Sequence, residues 1–187
     1  MAKRFLSFAM AAPLPRFRLS RISNRLGNAL HYAWRPKAPA WPPPSSRSVI
    51  VKLFLDSSAF AKRFVEETGS QEVERFCSQA TELGLSVICV PEIISALNRR
   101  LREKSLTRQD YAHAKQRLSQ EVRDAIIINL TPEVIQSSIG ILETNLLRTM
   151  DALHIACAMA WEVDLFVSSD HRQIIAARTA GLKTNQI

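Results

Sequence analysis

Four acidic residues of this 187-residue chain sit where a carboxylate can do chemistry: Asp56, Glu92, Asp151 and Asp170. Asp56 follows the apolar run Val49-Ile-Val-Lys-Leu-Phe-Leu55, and Asp170 follows Leu165-Phe-Val-Ser168 with Ser169 between. Glu92 comes directly after Pro91, behind Leu85–Val90, and Asp151 lies two residues past Thr149 at the head of an alanine-rich segment. Singly, each has an ordinary explanation, because a carboxylate in the first turn of a helix caps N–H groups and meets the positive end of the helix dipole. Glu72, Asp110 and Glu133 are read as no more than that. As a set, the four fall on one edge of a parallel sheet, and carboxylates crowded within ~6 Å repel unless a cation intervenes. Oxygen donors without His or Cys suit Mg²⁺ or Mn²⁺. An ion so held clamps a phosphodiester and acidifies a water for in-line attack. On spacing alone, caps and metal site both stay open.

That shared edge requires a parallel sheet, and the elements predict one. Val49–Leu55 has six apolar residues in seven and reads as a strand buried on both faces. Ser70 is expected to cap a helix with Val73, Phe76, Cys77 and Ala80 inward, and Gly84 to close it at positive φ. Leu85–Val90 reads as a second strand, with Pro91 as first residue of a helix burying Ile93, Ile94, Leu97 and Leu101. Thr107-x-x-Asp110 opens a helix to about Arg123, Ala125–Leu130 is a third strand, and Thr131-Pro132-Glu133 starts another helix. Thr149 is expected to cap a helix from Asp151 to Trp161. Leu165–Ser168 is a fourth strand, Asp170–Ala180 a helix stopped by Gly181, and Leu182–Thr184 a short last strand. Alternating strands and helices predict an α/β fold of three layers, a parallel sheet of four to five strands covered by helices on both faces. Asp164, between the Asp151 helix and the fourth strand, falls on the edge opposite Asp151.

The net charge of +8 is unevenly placed. Residues 1–48 hold nine Lys or Arg, no acid and seven of the nine prolines, whereas residues 49–187 hold sixteen basic and seventeen acidic residues, a net of −1. The first 48 residues therefore read as a basic Pro-rich tail, expected to be disordered, and residues 49–187 as the folded domain. Three readings of the tail stand side by side: a targeting segment, a basic arm for nucleic acid, and a start assigned too far upstream with Val51 as the true first codon. The longest uncharged stretch, Phe5–Pro15, has eleven residues, too few to span a bilayer. Cys77, Cys89 and Cys157 stand singly among apolar neighbours and read as core residues in a reducing compartment, the cytoplasm.

Four stretches resemble the acidic motifs of PIN domains: Leu53-Phe-Leu-Asp56-Ser-Ser-Ala59, Pro91-Glu92-Ile-Ile-Ser-Ala-Leu97, Arg148-Thr-Met-Asp151-Ala-Leu-His-Ile-Ala156 and Phe166-Val-Ser-Ser-Asp170. They are most similar to the VapC-type ribonuclease toxins of toxin–antitoxin pairs. The resemblance covers residues 51–184, and its most specific piece is Asp151-Ala-Leu-His-Ile-Ala156. It implies a PIN-like domain and a Mg²⁺-dependent (or Mn²⁺-dependent) endoribonuclease. Asp56, Glu92, Asp151 and Asp170 would be the catalytic and metal-binding carboxylates, Asp56 and Asp151 the principal ligands. Ser58 would be a polar group behind them, and Thr149 a helix cap facing the site. It also implies an RNA substrate, a small antitoxin partner and a homodimer. The tail has no counterpart in the family.

Of the basic residues, Arg63, Arg148 and Arg172, with Lys62, lie closest in sequence to the acids and are read as substrate contacts. Arg99, Arg100, Arg102 and Lys104 serve equally well as an RNA guide or as a solvated helix end. His154 is read as a core residue and left out of the chemistry. A phosphoaspartate hydrolase would need a second Asp at position 58, which is serine, and a receiver domain would need a lysine ending a late strand. A catalytically inactive binding or regulatory domain of the same fold is the alternative.

Overall fold

The computed structural model describes residues 50–187, and the expectations for residues 1–48 and Val49 lie outside the described residues. Along the described residues run β1 (Ile50–Leu55), α1 (Ser57–Ala61), α2 (Ser70–Gln79), β2 (Ala80–Ser86), α3 (Cys89–Arg102) and α4 (Arg108–Glu121). Then follow β3 (Ile126–Ile128), α5 (Pro132–Thr144), α6 (Thr149–Ala160), β4 (Leu165–Ser168), α7 (His171–Thr179) and β5 (Thr184–Gln186). The five strands form one sheet in the order β3-β2-β1-β4-β5, and every pair is parallel.

Period-two alternation in the two central strands sorts the core into two layers. Leu53 and Leu55 of β1 and Leu165 and Val167 of β4 face the layer built on α1–α4, where Phe60, Val73, Phe76, Ile93, Leu97 and Leu118 are buried. Phe54 and Phe166 point to the other side, stack on each other with centroids 5.7 Å apart, and meet Val134, Ile155, Ala156 and Ile174 of α5–α7. The fold is therefore the expected three-layer α/β sandwich. After β1 the chain turns onto one face, and after β4 onto the other. The strand order reverses between these two neighbours, and the crevice at their carboxyl ends is where open α/β sheets hold ligands.

Several local expectations are corrected. β2 begins at Ala80 and ends at Ser86, so Leu85–Val90 is not one strand; Cys89 and Val90 already belong to α3 and Pro91 is its third residue. Proline fits there because the first N–H groups of a helix have no partner within it. Gly84 is no helix stop: it lies within β2, and a Cβ built on it would stand 2.4 Å from the indole of Trp161. The N-cap of α2 is Gly69, at φ +92, not Ser70, whose hydroxyl instead donates to the carbonyl of Lys62. β3 is shorter than expected, and β5 lies two residues later. The Thr107 and Thr131 caps stand as read, accepting from the N–H groups of Asp110 and Val134.

Candidate active site

Each of the four acids is brought to the carboxyl end of the sheet by a different element. Asp56 leaves β1 and caps α1, with Oδ1 accepting from the N–H of Ala59 at 2.8 Å. Asp170 caps α7 after β4, with Oδ1 accepting from the N–H groups of Arg172 (2.8 Å) and Gln173 (3.3 Å). Asp151 lies in the first turn of α6, where Oδ2 accepts from the N–H of Arg148 at 3.4 Å. Glu92 lies in the first turn of α3, beyond the end of β2. Asp56, Asp151 and Asp170 do the capping work that explains them singly, and Asp151 also feels the charges of the other two, whereas Glu92 accepts from no backbone N–H among the described residues.

Asp56 is 5% exposed. Burial pushes its carboxyl above the ordinary range, against the pull of His154, the Ala59 N–H, and the hydroxyls of Ser58 and Ser168. Asp151 is also pushed upward, first by burial, then by the charge of Asp170, with Asp56 adding a smaller repulsion; the N–H and guanidinium of Arg148 oppose this. Asp56, Asp151 and Asp170 thus form one electrostatic group. Oδ1 of Asp151 and Oδ2 of Asp170 accept no hydrogen bond among the described residues. This oxygen-only donor set fits a hard divalent cation, whose charge would relieve the repulsion. No group of three or more His, Cys, Asp or Glu among the described residues is already arranged to hold a metal ion.

Glu92 stands in a different environment. Ser57 Oγ donates to its Oε2 at 2.5 Å, and His154 Nε2 lies 2.7 Å from the same oxygen and 3.0 Å from Ser57 Oγ. Burial raises its carboxyl, but the hydrogen bonds from His154 and Ser57 outweigh it and hold Glu92 below the ordinary range. Ser57 and His154 were outside the expected set, and both belong to the site. Their signals were present but slight: Ser57 adjoins Asp56, and His154 lies three residues past Asp151, on the same side of α6.

Ser58 lies beside Asp56. Its Oγ lies 2.9 Å from both oxygens of Asp56 and accepts from the N–H of Ser169 at 3.0 Å, joining the loops after β1 and β4. Thr149 is corrected: Arg148 is the N-cap of α6, and Thr149 is its exposed first residue, with no hydrogen bond to the acids. Arg148 and Arg172 are exposed beside Asp151 and Asp170. Arg63 is otherwise engaged: its guanidinium bonds Glu121 and also pairs with Glu74 at 2.9 Å. Lys62 donates to the carbonyl of Thr68, and Arg100 pairs with Glu67. A polar amide, Gln173, is wholly buried behind the aspartates, accepting from Ser168 Oγ at 2.6 Å and donating to the carbonyl of Asp151 at 3.2 Å.

Among solved structures, the chain is similar to a toxin–antitoxin complex from Klebsiella pneumoniae, with TM-score 0.54 and 15% identity over 72% of this chain and 99% of that one. It is similar to VapC20 of Mycobacterium tuberculosis, a sarcin–ricin loop cleaving toxin, with TM-score 0.54 and 18% identity over 72% and 99%. DNA-bound VapBC from Salmonella typhimurium matches with TM-score 0.55 and 13% identity over 73% and 98%. These likenesses show the fold. No curated protein matches in sequence. The family model of the PIN domain matches residues 53–180, from the middle of β1 to the end of α7. The chain belongs to the PIN domain family.

Proposed function

We propose that this chain is a metal-dependent endoribonuclease and the toxin of a toxin–antitoxin pair, with the activity carried by residues 49–187. The observation that carries the reading is the meeting of Asp56, Asp151 and Asp170 at the crevice between β1 and β4, where Asp151 is raised by the charges of both Asp170 and Asp56. Asp56, Asp151 and Asp170 would hold Mg²⁺ or Mn²⁺, with Glu92 completing the set. What such an ion supplies is charge for the phosphate oxygens and a more acidic attacking water. The chain's own residues do the rest. Ser58 and the Ala59 N–H fix the orientation of Asp56, and the α7 N–H groups fix that of Asp170. Arg148 and Arg172 offer exposed guanidinium groups to the phosphates beside the cut bond.

The antitoxin, homodimer, RNA substrate and cytoplasmic location are part of the same proposal. It draws on the family, on neighbours described as toxins and toxin–antitoxin complexes, and on three buried unpaired cysteines. Among the described residues, no helix is long and apolar enough to cross a membrane. One observation favours the alternative of an inactive PIN-like binding domain: the acids are not already drawn together around a common centre. The test is RNA cleavage by purified protein freed of co-purifying partners. Cleavage should require Mg²⁺, stop with a chelator, and return with Mg²⁺ or Mn²⁺. No cleavage of any RNA under these conditions favours the inactive domain.

A further inference from the structure

His154 is 2% exposed, yet its ring is not used as apolar filling. Its Nε2 is directed at two polar groups from two other elements, the Glu92 carboxylate of α3 and the Ser57 hydroxyl of α1. A carboxylate only accepts, so Nε2 carries the proton in this contact. Phe54 meets the ring edge-on at a centroid distance of 6.3 Å and helps fix its plane. Nδ1 is buried without a partner among the described residues, so every polar contact of the side chain is made through the one nitrogen that faces the site.

The consequence falls on Glu92. With Ser57 and His154 both on Oε2, only Oε1 is left without a hydrogen bond among the described residues. The helix that carries Asp151 also carries the group that fixes Glu92, so α6 sets the relation between these two acids.

We propose that His154 is a positioning residue: it locks Oε2 of Glu92 and leaves Oε1 as the single oxygen offered to the site. The catalytic part of this proposal rests on the nuclease reading above. The test compares His154→Gln, which keeps a side-chain N–H at similar reach, with His154→Met, which has similar volume and no donor. Each is combined with Glu92→Gln, and kcat and KM on RNA are measured per folded molecule, alongside Mn²⁺ affinity by calorimetry.

The Met variant is expected to lose roughly 10–100-fold in kcat, the range for groups that orient a metal ligand, with KM changed less than about threefold. The Gln variant should recover to within about fivefold of wild type. In the Glu92→Gln background the Met substitution should cost less than about twofold, because it acts through Glu92. Mn²⁺ affinity should fall in the Met variant and return in the Gln variant. Equal losses in the Gln and Met variants, or full additivity with Glu92→Gln, would overturn the proposal. Should the Met variant not fold, the Gln variant decides: near wild-type kcat supports positioning, and a loss as large as that of Glu92→Gln contradicts it. If the wild type cleaves no RNA, the nuclease reading falls by itself, and the Mn²⁺ affinities alone judge the role of His154.

Discussion

Asp164 closes a two-way clasp with Lys52: its Oδ2 accepts from the Lys52 N–H at 2.8 Å, and its own N–H donates to the Lys52 carbonyl at 3.0 Å. This clasp stands just before Leu165, whose partner in the sheet is Leu53, and so marks the amino end of β4. Asp151, thirteen residues earlier, lies at the carboxyl edge. Asp164→Asn should keep an acceptor oxygen, cost at most about 1 kcal/mol in urea unfolding, and leave RNA cleavage per folded molecule at the wild-type rate. A folded Asp164→Asn protein that no longer cleaves would show that chemistry is not confined to the carboxyl edge.

Gly84→Ala places a Cβ 2.4 Å from the Trp161 ring. Lys52 Nζ lies over that ring, 5.4 Å from its centroid, and donates to the Trp161 carbonyl oxygen at 3.1 Å. Overpacking of this kind costs about 1–3 kcal/mol. Urea unfolding should show that loss, and the loss should shrink in a Trp161→Ala background, where the space is open. A neutral Gly84→Ala in the wild-type background contradicts the close approach.

The same glycine shows where the sequence was legible and where it was not. β1 and β4 are short apolar runs between polar residues, and period and turn chemistry placed them within a residue. β2 reads Ala-Thr-Glu-Leu-Gly-Leu-Ser, and Thr81, Glu82 and Gly84 read by type as the end of the preceding helix. What calls for glycine at this strand position is the ring of Trp161, seventy-seven positions away, and no local pattern carries that contact. The four acids could be found because each ends a strand or starts a helix. His154 has only the slight signal of its spacing from Asp151, because its contacts with Glu92 and Ser57 span 62 and 97 positions. Thr149 looked like a cap by residue type, yet the extended residue before α6 is Arg148, with ψ 152.

The metal-free protein should become less stable as pH rises from the ordinary carboxyl value of 3.8 through the raised folded values of Asp56 and Asp151. Asp56 and Asp151 have folded values raised above the ordinary 3.8, so across that window the folded state binds more protons than the unfolded state and stability falls with pH. Glu92, lowered from 4.5, contributes in the opposite direction, its stabilisation being lost as pH falls through its folded value. Asp56→Asn removes one of the raised groups. In chelator, its stability relative to wild type should therefore rise between pH 4 and pH 7, measured by urea unfolding. A deficit that is largest at pH 7 would mean that the charged carboxylate is needed as the cap of α1, with no cation involved.

Magnesium should act through the same carboxylates. A ligand that binds only the folded state stabilises it, by about 2.7 kcal/mol at a hundred times its Kd. Millimolar Mg²⁺ or Mn²⁺ should raise the thermal midpoint of the wild type and of Asp164→Asn, and raise those of Asp56→Asn and Asp151→Asn much less. An equal response in all four proteins would place the cation elsewhere.

The proposed ribonuclease activity depends on Asp56, Asp151 and Asp170 acting as one cation-holding group. The decisive measurement is the Mg²⁺-dependent RNA cleavage rate of Asp151→Asn against wild type, with both proteins shown to be folded by circular dichroism. Groups that merely orient a metal ligand are worth 10–100-fold, so loss of a ligand should cost about 100-fold or more. A folded Asp151→Asn protein cleaving RNA at the wild-type rate would contradict the account.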